Sequence, residues 1–128
     1  MNMIHAESSG YTVAGKNARV LNADAHQLIT ILFEELLNLL DEIRVIQTRG
    51  ETSEITDQQV MALSIVDSLI VSLDMENGGE VAANLRRTYG QVRALIAADN
   101  PTDRLKNCQI ARQMVAEIHD AWMGIGES

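Results

Sequence analysis

The chain has 128 residues, 46% of them hydrophobic, and a net charge of −8, which suits one domain with a core of its own. Residues 51–128 carry six Lys/Arg against twelve Asp/Glu, so a nucleic-acid or anionic-membrane surface, which needs clustered basic charge, is disfavoured from the start. A single cysteine excludes an intrachain disulfide, and an aromatic content of 3% calls for an aliphatic core, better suited to packed helices than to a sandwich.

Residues 1–22 are polar, with Tyr11, Val13, Val20 and Leu21 as scattered apolar points. Two readings stand: a frayed tail, or an N-terminal arm that caps the body with those four side chains. The start of the chain has no basic region followed by an apolar run, as a signal peptide would. No apolar run approaches the roughly 18 residues of a membrane span. A cytosolic location without membrane insertion is expected.

The first helix is expected from Asp24 to Arg49, with Asp24 and Gln27 as a capping box and Gly50 as the stop. Leu28, Leu32, Leu36, Leu39, Ile43 and Ile46 make one stripe, and Ile29, Phe33, Leu37 and Leu40 a second beside it. That arc is wider than one face of a small bundle needs. Either the helix is central, or part of the arc awaits a partner.

A second helix is expected from Asp57 to Leu73, capped by Thr56 with Gln59, its face formed by Val60, Leu63, Val66, Leu69, Ile70 and Leu73. The turn after it carries Gly78 and Gly79, at least one of them at a backbone angle hostile to a side chain. Asn77 and Glu80 read as the next capping box, opening a helix to Ala98 with Val81, Leu85, Tyr89 and Val92 on one face. Asn100 and Pro101 open the last helix, expected to run from Pro101 to Met123 and to end at Gly124 and Gly126. Its stripe is Leu105, Cys108, Ala111, Val115, Ile118, Trp122 and Ile125. Four helices with short connections predict an all-α, antiparallel up-down-up-down four-helix bundle over residues 23–126, preceded by the extended arm of residues 1–22.

Residues that could carry chemistry do not assemble into a site. Glu117 and His119 are two apart, not the three of a Glu-x-x-His metal pair. His26, in the first turn of its helix, is expected on the surface and lacks a phosphotransfer context. Cys108 lies at an apolar position and reads as a buried, inert thiol. With no phosphate loop and no nucleophile–base signature, neither an enzyme nor a cofactor is expected.

Three segments carry a family resemblance: Val20-Leu21-Asn22-Ala23-Asp24-Ala25-His26-Gln27-Leu28-Ile29 running into Leu32-Phe33-Glu34; Leu73-Asp74-Met75-Glu76-Asn77-Gly78-Gly79-Glu80-Val81-Ala82-Ala83-Asn84-Leu85 with Tyr89 following; and Ile118-His119-Asp120-Ala121-Trp122. In their order and spacing the chain resembles the flagellar secretion chaperone family, FliS. It departs from the family at Ala25, where Pro is usual, and at Phe33-Glu34, where Tyr-Asp is usual. The resemblance implies a non-enzymatic cytosolic chaperone. Such a protein holds the disordered C-terminal segment of flagellin, blocks its premature polymerisation and delivers it to the flagellar type III export gate. Phe33, Leu37, Val81, Leu85 and Tyr89 are then the candidate client-binding residues, core packing being the alternative for each, and the free chaperone could form a weak homodimer. The competing class is a general helical interaction or dimerisation module without a flagellar client.

Overall fold

The computed structural model describes residues 24–50, 56–98 and 100–126. Four helices follow one another: α1 (Ala25–Thr48), α2 (Asp57–Val71), α3 (Gly79–Ala97) and α4 (Arg104–Gly126). No strand occurs among the described residues. The arm residues Tyr11, Val13, Val20 and Leu21 lie outside them.

α1 begins as its sequence predicts. Asp24 is extended and accepts from the Gln27 amide at 2.8 Å, while Gln27 Oε1 accepts the Asp24 amide at 3.0 Å. These bonds satisfy amides that a helix start leaves without partners. At the other end Gly50 has φ +70 and donates to Gln47 O at 3.0 Å, the left-handed stop that glycine adopts at least cost.

α2 keeps half of its expected box. Thr56 Oγ1 accepts from the Gln59 amide at 3.1 Å. The Gln59 side chain, however, is buried and donates to Ile96 O of α3 at 2.6 Å. Ile96 lies in the last turn of α3, where carbonyls lack helical partners. A buried tertiary bond therefore wins over the local one.

The α2–α3 turn is organised by Asp74 rather than by Asn77. Asp74 Oδ1 accepts the amides of Glu76 and Asn77, and Asp74 Oδ2 accepts from Asn77 Nδ2. Bonding from Asn77, first through its side chain and then its backbone, holds the Asp74 carboxyl below its ordinary range. The N-cap of α3 is Gly78, which supplies no side-chain bond, so the expected Asn77–Glu80 box is not formed. Gly79 has φ +57, and a Cβ on Gly78 would stand 2.6 Å from Asp74 O and 2.5 Å from Ala82 Cβ. The first glycine is required by close approach and the second by backbone angle.

α4 starts later than its sequence suggests. Asn100 Oδ1 accepts from the Thr102 amide and Asn100 Nδ2 donates to Asp103 Oδ2. These bonds hold a turn over Pro101–Asp103, and the helix begins at Arg104. Gly124, expected as a stop, lies inside the helix.

Each helix packs on its two neighbours in the cycle α1–α2–α3–α4–α1, with α1 against α4 the most extensive pairing. Three bonds fix α1 and α4 as antiparallel: His26 with Trp122, Cys108 Sγ donating to Leu40 O, and Arg112 Nε donating to Asp41 Oδ1. Gln59 with Ile96 and Asp67 with Arg93 do the same for α2 and α3. The core is aliphatic, with Leu36, Leu39 and Leu40 of α1, Val66 and Leu69 of α2, Val92 of α3 and Val115 of α4 all buried, and Phe33 in contact with the Tyr89, His119 and Trp122 rings.

Candidate binding surface

The apolar residues that stay outside this core define the candidate site. On α3 the buried line is Ala82, Tyr89, Val92 and Ile96, not the predicted Val81, Leu85, Tyr89 and Val92. At 100° per residue Val81 is turned well away from Tyr89, and the small Ala82 takes the inner position, where the Gly78 turn closes against it. Val81 is consequently 69% exposed and Leu85 only half buried. On α2 the same offset puts Gln59, Ala62, Val66 and Leu69 inside and leaves the predicted Val60 outside.

Leu85 lines an open groove of about 340 Å³ between α3 and α4. Its α3 wall adds Thr88 and Gln91; its α4 wall is Met114, Glu117, Ile118 and Ala121. Val81 stands one turn before Leu85, and Ile125, 62% exposed, one turn beyond Ala121. Antiparallel helices place both at the same mouth, so the apolar floor continues outward as an unburied ledge. A second groove of about 380 Å³, between α1 and α2, is lined by Asp41, Glu42, Val45, Ile46 and Gln58.

The candidate residues thus divide. Val81 and Leu85 come together at the α3–α4 groove. Leu37 is half buried and packs against the core. Phe33 and Tyr89 are 1% and 5% exposed and belong to the core itself; burial pushes the Tyr89 hydroxyl up to about 12. Sequence reading left Met114 between a gap-filling role and an adaptable binding surface, left Ala121 unassigned, and placed Ile118 and Ile125 in a core stripe. The spacing of four, three and four along Met114, Ile118, Ala121 and Ile125 was the available signal.

Burial, followed by the Asp41 charge, raises the Cys108 thiol to about 11, so it is an inert core group. No cluster of metal-binding side chains occurs among the described residues. His26, expected on the surface, stacks on Trp122, and its Nε2–H donates to Trp122 O at 3.0 Å. The pair clasps the start of α1 to the end of α4. A small cavity lined by Gln59, Ile96, Arg104 and Cys108 measures about 10 Å³, room for at most one water.

An all-helical bundle with open, mainly apolar grooves between its helices has surfaces of the kind that receive amphipathic helices. Comparison with known sequences gives the family. Residues 7–128 match the family described as flagellar protein FliS, and the chain belongs to it. It is 29% identical over 117 residues to the flagellar secretion chaperone FliS of Salmonella typhimurium, covering 90% of this chain and 86% of the relative. It is 29% identical over 120 residues to the flagellar secretion chaperone FliSB of Pseudomonas aeruginosa, covering 90% and 91%. The Escherichia coli flagellar secretion chaperone FliS is 27% identical over 117 residues, covering 90% and 85%. No solved structure gives a significant match.

Proposed function

We propose that the protein is a cytosolic, non-enzymatic export chaperone that binds the disordered C-terminal segment of flagellin, prevents its premature polymerisation and delivers it to the flagellar type III export apparatus. The observation that carries this reading is the α3–α4 groove with its exposed ledge, Val81 and Ile125, in a chain of this family. A segment that folds on binding lays an amphipathic helix into such a groove and buries the ledge. Val81 and Leu85 serve as client contacts, with Leu37 of α1 a further candidate outside the groove lining, while Phe33 and Tyr89 belong to the core behind it. No described helix is long and apolar enough to cross a membrane, in keeping with a chaperone that works before the export step.

Residues 1–22 act in the same reading as a cap, through Tyr11, Val13, Val20 and Leu21. The support is positional. The described chain begins beside the end of α4, since His26 clasps Trp122, and the ledge lies at that end of the bundle. An empty apolar groove invites association, and a weakly held arm would cover it and yield to the client.

The test is seeded polymerisation of the organism's own flagellin with and without equimolar chaperone. The chaperone should suppress filament growth and leave a one-to-one complex with the C-terminal segment. Unaltered growth, with the chaperone only self-associating, would favour a general dimerisation module.

A further inference from the structure

We infer that Glu117 is the specificity-determining residue of the α3–α4 groove and selects a client helix carrying a Lys or Arg within one turn of its apolar anchors. This rests on the reading of that groove as the client site. Among the side chains that line the groove Glu117 has the one formal charge. Met114 and Ala121 stand about one turn to either side of it on α4, so the carboxylate interrupts an otherwise apolar ridge.

Three arginines of the two walls are directed elsewhere. Arg93 of α3 donates to Asp67 of α2 at 2.7 Å, and Arg87 to Asn84 at 2.8 Å. Arg112 of α4 donates to Asp41 of α1 at 2.9 Å. The bond that reaches Glu117 comes from the neutral Gln113 amide, at 2.9 Å. An apolar helix laid over the groove would strip water from this carboxylate and offer nothing in return, a cost that discriminates against it. A cation at the matching position restores the lost solvation as an ion pair in a partly desolvated site. The groove therefore rejects uniformly apolar helices, including those of unrelated exposed cores, as much as it attracts its own client.

The experiment uses the full chain and a synthetic peptide of the C-terminal segment of the organism's flagellin. Affinities are measured for wild type, Glu117→Gln, Glu117→Lys and Val81→Asp at two salt concentrations, after circular dichroism confirms each fold. Glu117→Gln should weaken binding about 5-fold and Glu117→Lys at least about 10-fold, with the wild-type salt dependence reduced in Glu117→Gln. A peptide in which one Lys or Arg is changed to Glu should bind Glu117→Lys better than it binds wild type. If Val81→Asp abolishes binding while Glu117→Lys binds like wild type, the groove holds the client but Glu117 does not select it. If neither substitution matters, the groove is not the client site and the parent reading of it falls as well.

Discussion

His26 and Trp122 stack with ring centroids 4.3 Å apart and planes within 5° of parallel, 96 positions apart in the chain. The bond from His26 Nε2 to Trp122 O is answered by Trp122 Nε1, which donates to Thr30 Oγ1 at 3.0 Å and to His26 O at 3.3 Å. The contact closes the bundle where its first and last helices meet, beside the mouth of the candidate groove. Trp122→Ala should cost about 2–4 kcal/mol, since the ring is only partly buried, and His26→Ala about 1 kcal/mol. Urea unfolding checks both values. A double variant that loses much less than the sum of the singles would confirm that the two act as one contact.

The glycine pair gives a second expectation. Gly78→Ala must push its Cβ against backbone at Asp74 O, and should destabilise by more than about 1 kcal/mol. Gly79→Ala meets no steric obstacle but sits at φ +57, so its cost should be nearer 1 kcal/mol. Thermal melts that rank Gly79→Ala below Gly78→Ala in stability would reverse this assignment of causes.

Alkaline pH should weaken the fold. Cys108 keeps its proton to about 11 in the folded chain and Tyr89 to about 12, both because burial penalises the charged form. An unfolded chain loses these protons from about pH 8.5 and 10 respectively. The unfolded state thus binds fewer protons in that window, and stability falls as pH rises from about 9 towards 12. Cys108→Ala should flatten the lower part of the decline and Tyr89→Phe the upper part, read from urea midpoints at stepped pH. A thiol that reacts with a disulfide reagent as fast in the folded as in the unfolded chain would contradict the burial.

Deletion of residues 1–18 addresses the cap. The bundle should stay folded, since its described helices start at Ala25. Self-association should rise, seen by sedimentation velocity, and the flagellin peptide should bind more tightly once no arm competes. Unchanged association and affinity would make the segment a tail.

Much of the fold could be read where local and tertiary demands agree. Asp24 with Gln27, and Gly50 beyond the last turn of α1, satisfy helix ends by short-range bonds, and both occur as expected. Reading failed where a distant partner outbid a near one. Gln59 left its cap for Ile96 O, and His26 was drawn from the surface by a tryptophan at the far end of the chain, while in the α2–α3 turn Asn77 gave its side chain to the nearby Asp74 instead of capping α3. The candidate site was half legible for a related reason. Apolar spacing found Val81 and Leu85 but grouped them with Tyr89, because periodicity alone does not say where a stripe leaves the core. The inward turn of Ala82, set by the Gly78 turn, decides that.

The central claim is that the ledge of the α3–α4 groove receives the flagellin segment. Val81 tests it most directly, because a residue 69% exposed can be changed to Asp without touching the core. Titration calorimetry of the C-terminal flagellin peptide into wild type and Val81→Asp, with matched melting curves, is the measurement. The expected result is a well-defined wild-type isotherm and a loss of at least about 10-fold in affinity for the variant at unchanged stability. Equal affinity for the two proteins would contradict the claim, and place the client on another face of the bundle.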